Sequence, residues 1–412
     1  MSTDPTAAAE PQTLLVTLTG PDRPGVTRTL FSSLAAFDLA VLDVEQVVIR
    51  GTLVLGVLLG GPDPAAAAEA VRTVGASLGL AVETSTGAAE EDPRRRGRVH
   101  VTLLGRPLRP QAVAAVAGAI ADSGANIDRI VRLAHYPVTG IELEVSGADP
   151  TGLRASLAVT AAAHQVDVAV QRSGLSRRAK RLVVMDVDST LIQDEVIELL
   201  AAHAGHAEEV AGVTAAAMRG ELDFRASLLA RVALLEGLPE SVLDEVRHEV
   251  RLAPGARTLV RTLHRLGFRV GIVSGGFTQI TDALAADLGL DFAAANTLEV
   301  VDGQLTGRLV GPIVDRPGKA AALERFAAAA GVPISQTIAV GDGANDLDML
   351  SRAGLGVAFN AKEVVRQAAD TSVSVPYLDT VLYLLGISRE EIEEADAEGG
   401  TPTPAPAIPP PD

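Results

Sequence analysis

Four short segments hold the residues with chemistry in them: Asp186-Val187-Asp188-Ser189-Thr190, Ser274-Gly275-Gly276, Lys319, and Gly341-Asp342-Gly343-Ala344-Asn345-Asp346. Asp186 and Asp188 lie two apart, so in extended backbone both side chains project to the same side. Carboxylates held that close repel each other, which raises one pKa and divides the roles. One stays ionised as a nucleophile able to form an aspartyl-phosphate, and the other carries protons. Asp342 adds a third carboxylate, and the cluster calls for a hard cation; Mg²⁺, with carboxylate, phosphate and water ligands, fits. Mg²⁺ and Lys319 would neutralise charge on a transferring phosphoryl group, while Ser274 and the N–H of Gly275 cradle its remaining oxygens. Cysteine is absent and the seven histidines are scattered, so no other nucleophile–base pair stands out. Singly, a DxD is often a turn and a GDG often a hairpin; together and in this order the segments specify phosphoryl transfer.

Such segments need the carboxyl ends of strands in an open α/β sheet, where ligands bind. Short apolar runs predict those strands at Arg181–Met185, Arg269–Val273, Thr337–Val340, Leu355–Phe359 and Ser372–Val375. Helical patterns lie between them at Phe277–Leu288, Lys319–Ala330, Asp346–Ala353 and Lys362–Ala369. The alternation predicts a doubly wound, Rossmann-like parallel sheet covered on both faces. Between its first two strands, from about 196 to 263, the pattern is all-helical and reads as an inserted cap.

The first 175 residues repeat at an offset of 85. Thr13–Gly20 matches Arg98–Gly105, each an apolar strand ending at glycine, and each copy continues helix–strand–strand–helix–strand. That order predicts two ferredoxin-like βαββαβ modules, at 13–84 and 98–172, joined by a charged linker at 85–97. In the first copy Gly20-Pro21-Asp22-Arg23-Pro24-Gly25 stands where strand turns into helix. Asp22 is placed to cap the helix, and Gly20 and Gly25 permit close backbone approach. These residues resemble the ACT domain, which implies an amino-acid effector and dimerisation. The second copy has Pro107 and Pro110 at the offsets of Asp22 and Gly25 and keeps only Gly105, so it resembles the fold more than the ligand site.

From about 181 to 385 the chain resembles the haloacid dehalogenase superfamily and, within it, the phosphoserine phosphatases. The resemblance implies Asp186 as nucleophile and metal ligand, and Asp188 as general acid/base with its main-chain carbonyl on the metal. It implies Ser274, Gly275 and Lys319 on the phosphoryl group, Asp342 and Asp346 at the metal, and Asn345 orienting substrate. It also implies Glu195 on the substrate ammonium, Met218 and Phe224 in the cap, and Arg231 on the substrate carboxylate. The expected reaction releases L-serine from O-phospho-L-serine with Mg²⁺, as the last step of serine synthesis. L-serine is the expected effector of the ACT-like modules, in a homodimer. Two other readings stay open: a phosphatase or phosphotransferase for another small phosphorylated metabolite, and an inert amino-acid sensor.

Composition bounds the rest. The chain has 412 residues, 47% hydrophobic, with 52 acidic against 35 basic side chains and a net charge of −17. That balance argues against nucleic acid or an anionic membrane as partner. There is no transmembrane run and no signal peptide in the expected disordered residues 1–12, so the cytoplasm is expected. The phosphatase domain is expected over 173–388. From Arg389 to Asp412 seven acidic residues, one basic residue and closely spaced prolines predict a disordered tail of net charge −6.

Overall fold

The computed structural model describes residues 12–62, 64–88, 97–218, 221–401 and 403. The N-terminal stretch through residue 11, the charged linker residues 89–96, and residues 402 and 404–412 lie outside the described residues. The described chain divides into two compact units, one within Met1–Pro93 and one within Arg94–Asp412.

The first unit runs β1 (Gln12–Pro21), α1 (Val26–Leu34), β2 (Ala40–Ile49), β3 (Thr52–Gly60), α2 (Pro64–Leu78) and β4 (Ala81–Ala88). Its antiparallel sheet has the order β2-β3-β1-β4, so the βαββαβ expectation holds. Leu14, Val16 and Leu18 alternate inward along β1 and share a core with Leu30 of α1 and Val71 of α2. Two details differ from the sequence reading. β4 continues through 85–88, expected as linker, because β1 supplies partners as far back as Gln12, opposite Ala88. Asp22 does not cap α1: Gly25, at φ 94°, is the N-cap residue. Asp22 stands too far ahead of Val26 to reach the first turn, and its own N–H donates to Gly51 O at 2.8 Å.

The second unit opens with the repeat: β5 (Val99–Gly105), α3 (Pro110–Asp122), β6 (Asn126–Ala134), β7 (Thr139–Ser146), α4 (Pro150–His164) and β8 (Asp167–Arg172). After α5 (Leu175–Arg178), β9 (Leu182–Met185) begins the parallel sheet. The helical insert follows as α6 (Val196–Ala204), α7 (Ala207–Met218), α8 (Phe224–Ala233), α9 (Val242–Glu249) and α10 (Ala256–Arg265). Next come β10 (Arg269–Phe277), α11 (Thr278–Leu288), β11 (Phe292–Val301), β12 (Gln304–Val310) and α12 (Arg316–Ala330). The chain closes with β13 (Thr337–Gly341), α13 (Leu347–Arg352), β14 (Gly356–Phe359), α14 (Glu363–Ala368), β15 (Thr371–Val373), α15 (Val381–Leu384) and α16 (Arg389–Glu398).

One eleven-stranded sheet runs β12-β11-β10-β9-β13-β14-β15-β8-β5-β7-β6. The stretch from β11 to β15 is parallel throughout. All four residues of β9 are buried, as a strand covered on both faces requires. From β9 the chain moves to one side for β10 and β11, then returns to the other side for β13, β14 and β15. The switch point therefore lies beside the carboxyl end of β9. The β11–β12 hairpin was not predicted, although Asp302 (φ 51°) and Gly303 (φ 74°) form the Asp-Gly turn that such hairpins favour.

The second ACT-like module joins this sheet by one antiparallel contact, Thr371 opposite Ala169. A buried ion pair between Arg177 and Glu142, and a 2.6 Å hydrogen bond from Gln171 Nε2 to Leu384 O, add to the seam. The acidic tail also departs from expectation, since residues 389–398 form α16 and pack. Ser388 and Glu391 make a capping box, Ile392 is buried, and Asp396 pairs with Arg261 and Arg265 of α10. Asp396, one of the seven acids that suggested a solvated tail, is neutralised by two arginines.

Candidate active site

β9 delivers Asp186 to the switch point. Its main-chain N–H donates to Val340 O of β13 at 2.9 Å, which ties the residue to the neighbouring strand. The Oδ1 atom accepts Val187 N–H at 2.8 Å and lies 2.7 Å from Lys319 Nζ. The backbone is extended at Asp186 and again at Asp188, with a helical residue, Val187, between them, and turns sharply at Ser189, which adopts φ 57°. Each residue of that turn holds a different part of the site. Asp188 Oδ1 accepts the N–H of Val196 at the start of α6 (2.8 Å), and its Oδ2 accepts Ser274 Oγ–H (2.9 Å). Ser189 Oγ donates to Glu195 Oε1 (2.8 Å), and Thr190 Oγ1 to Asp342 Oδ1 (3.0 Å).

β13, alongside, ends at Gly341, where a Cβ would stand 2.5 Å from the Asp346 carboxyl carbon; only glycine fits. Gly343 N–H donates to Asp346 Oδ2 at 2.9 Å, while Asp346 Oδ1 accepts Lys319 Nζ at 2.7 Å. Asn345 is half-buried in the same turn, its Oδ1 lying where a Cβ on Gly343 would go. Lys319 reaches this point from α12, whose N-cap Asp315 accepts Gly318 N–H.

At the end of β10, Ser274 is fully buried and its Oγ accepts Gly276 N–H at 2.7 Å. Gly275 faces Phe224, where a Cβ would come within 3.1 Å of Cζ. On Gly276 a Cβ would meet Asp188 Oδ2 at 3.1 Å. Both glycines thus keep backbone close to the acids and the cap. Met218 ends α7, but its side chain lies outside the described residues.

The charges explain the electrostatics. Oxygens of Asp186, Asp342 and Asp346 lie within 4.8 Å of one another. Burial raises Asp186 well above the usual carboxylate range, and Asp346 adds to the rise while Lys319 opposes it. Burial also raises Asp188, against the hydrogen bonds from Val196 and Ser274. Asp342 is pushed up to about 6 by burial and then by Asp346. Burial alone would lower Lys319, yet Asp186 and Asp346 hold it above its ordinary value. Three carboxylates against one lysine leave excess negative charge, and three hard oxygens suit a divalent cation. Both members of the Asp186–Asp188 pair are raised, rather than one, because burial outweighs their mutual repulsion.

At the cap side, Glu195 is pushed up to about 7 by burial and then by Asp188. Burial lowers the half-buried guanidinium of Arg231, in the last turn of α8, while Glu195 and Asp188 pull it back up. An acid and a guanidinium therefore both lie within electrostatic reach of Asp188. Sequence reasoning quoted Thr190 without giving it a part, and it missed Asn296 and Asp315 altogether. Gly20, Asp22 and Gly25 belong to the first unit, and Gly105 ends β5 in the second. A Cβ on Gly20 would stand 2.6 Å from Leu80 Cδ2, and one on Gly105 3.0 Å from Leu108 Cα.

Comparison with known proteins gives three family matches along the chain. Residues 183–351 match the haloacid dehalogenase-like hydrolase family, and residues 12–85 and 99–171 each match an ACT domain. The chain is 65% identical over 387 residues to a phosphoserine phosphatase of Streptomyces coelicolor, covering 93% of this chain and 94% of that one. It is 55% identical over 392 residues to a phosphoserine phosphatase of Mycobacterium tuberculosis, covering 93% and 95%. Among solved structures, a probable phosphoserine phosphatase from Vibrio cholerae aligns with TM-score 0.56 and 37% identity over 72% of this chain and 88% of that one. A haloacid dehalogenase family hydrolase from Salmonella aligns with TM-score 0.62 and 27% identity over 70% and 98%.

Proposed function

This chain belongs to the phosphoserine phosphatase family of haloacid dehalogenase-like hydrolases, and we propose that it hydrolyses O-phospho-L-serine to L-serine and phosphate through an aspartyl-phosphate on Asp186. The observation that carries the reading is the convergence on Asp186: Lys319 at 2.7 Å, the Asp342–Asp346 pair, and the Asp188–Ser274 contact at its flank. An Asp186 oxygen attacks phosphorus as the bond to the serine oxygen breaks. Asp188 protonates the leaving oxygen from Oδ2, the oxygen on the Ser274 side, because Oδ1 is occupied by Val196 N–H. Burial raises its pKa, which favours its carrying that proton. Asp188 then takes a proton from water, which attacks phosphorus and frees Asp186. Ser274 Oγ, Gly275 N–H and Lys319 hold the phosphoryl oxygens. Asp186, Asp342, Asp346 and the Asp188 carbonyl would hold Mg²⁺, which supplies positive charge against the phosphoryl oxygens.

Glu195 takes the ammonium and Arg231 the carboxylate, opposite charges on opposite partners. Met218 and Phe224 close the cap over them, excluding water, and Asn345 orients the bound substrate. Phosphate release from phosphoserine with Mg²⁺, and its loss in Asp186→Asn with the fold retained, tests the proposal; turnover surviving in that variant defeats it.

The ACT modules support a regulatory reading, with L-serine bound near Gly20, Asp22 and Gly25, and Gly105 as the remnant of that site in the second copy. β2, an edge strand, supports a homodimer: Val41, Leu42, Val44, Val47, Val48 and Ile49 are 44–62% exposed. Light scattering on Val47→Glu tests it; an unchanged oligomer rules this edge out. Serine titration of wild type and Asp22→Ala tests the effector site, and equal responses remove it. No described helix is long and apolar enough to cross a membrane, and with a cysteine-free chain this supports a cytoplasmic enzyme.

A further inference from the structure

Asn296 has no part in the chemistry above, yet it is buried in β11 with both ends of its amide engaged. Its Nδ2 donates to Gly275 O and its Oδ1 accepts Val314 N–H, both at 2.8 Å. The two partners lie on separate loops. Gly275 stands in the stretch where β10 loses its register with β11 after Val273 and regains it at Phe277. Main-chain groups in such a stretch need partners outside the ladder. Val314 immediately precedes Asp315, whose carboxylate accepts Gly318 N–H (2.9 Å) and whose carbonyl accepts Lys319 N–H (2.8 Å). The loops also touch, since a Cβ on Gly275 would lie 3.9 Å from Val314 O.

We propose that Asn296 is a positioning residue that fixes the separation between the Ser274–Gly275 loop and Lys319, and with it the fit of a phosphoryl group between them. This rests on the phosphoryl-binding roles proposed for Ser274, Gly275 and Lys319. Asparagine suits the task because one planar amide both donates and accepts, bridging two main chains that a strand cannot pair. An aliphatic residue, which β structure favours, would leave both groups unsatisfied.

The test uses the full chain with Mg²⁺ and two variants. Asn296→Asp keeps an acceptor for Val314 N–H but sets a carboxylate oxygen against the Gly275 carbonyl. Val314→Pro leaves Asn296 in place and removes the N–H it accepts, while also fixing φ at 314. Displacements on the ångström scale cost about 100-fold in turnover, so kcat on phosphoserine should fall by about that factor in Asn296→Asp. Competitive inhibition by orthophosphate should weaken about tenfold in both variants, the equivalent of one lost hydrogen bond. A purely structural role lowers the active fraction, and so the apparent kcat, without moving the orthophosphate inhibition constant. An unchanged constant in whichever variant folds overturns the proposal. Lys319→Gln run in parallel separates the two levels. If it too leaves orthophosphate inhibition intact, the site assignment fails rather than the role of Asn296.

Discussion

Replacing Lys319 with methionine is the sharpest perturbation this site offers. The lysine is completely buried, with Nζ 2.7 Å from Asp186 and 2.7 Å from Asp346. Methionine fills much of the same volume but leaves those carboxylates, with Asp342 beside them, uncompensated. Removing one partner of a buried ion pair costs about 3–5 kcal/mol. For a cooperative unit of roughly 300 residues each kcal/mol moves Tm by about 1.6 °C, so the metal-free variant should melt about 5–8 °C below wild type. The pH dependence has a definite sign. A carboxyl raised in the folded state contributes stability below its unfolded pKa and loses it as pH rises through the folded value. Asp186 is already raised by burial and by Asp346, and Lys319 is what opposes that rise. Its loss moves the folded value higher, so the deficit should grow from pH 5 to pH 8. Mg²⁺ should recover part of it by supplying the missing charge. Scanning calorimetry in chelator at both pH values, then with Mg²⁺, measures all three effects. A Tm change below about 2 °C, or a deficit larger at pH 5 than at pH 8, would refute the view that Lys319 is the counter-charge of this cluster.

Arg231→Ala should raise KM for phosphoserine about 10- to 150-fold, the equivalent of one charged hydrogen bond. A simple aryl phosphate should be barely affected, and equal losses on both substrates would contradict the carboxylate role. Glu195 is pushed up to about 7 by burial, then by Asp188, so kcat/KM should decline as falling pH protonates it and the substrate ammonium loses its partner. In Glu195→Gln that acid limb should vanish; a limb that persists unchanged assigns it elsewhere. Asp396 is held down at about 2 in spite of its burial, chiefly by the hydrogen bond from Arg261, with Thr403 and Arg265 adding to it. It should contribute about 2–3 kcal/mol above pH 4, lost as pH falls towards 2. Asp396→Asn should lower Tm at pH 7, and an unchanged melt would mean α16 is held by its other contacts, Ile392 and the buried Arg389–Asp379 pair.

What the sequence made legible, and what it hid, follows from how local each signal is. Asp186, Asp188, Ser274, Gly275, Asp342 and Asp346 stand at strand ends, and a strand end is readable wherever an apolar run stops at polar residues and glycine. Lys319 was readable because a helix pattern begins close by. Asn296 was not: one polar residue in the run Ala293-Ala294-Ala295-Asn296-Thr297 marks nothing until the chain folds Gly275 and Val314 onto its two sides. The tail shows the opposite weighting. Ser388 and Glu391 spell a capping box, a local helix signal that the net charge and prolines of the stretch mask. Net charge is the wrong quantity there, because Asp396 is neutralised by Arg261 and Arg265, more than a hundred positions away. The Asp22 cap failed for a local reason, since Gly25 at φ 94° starts the helix beyond its reach. The catalytic and phosphoryl-binding residues of the proposed mechanism are therefore legible from short local segments taken together and in order. The residues that hold them at the right separation, Thr190, Asn296 and Asp315, become legible only once their partners have met.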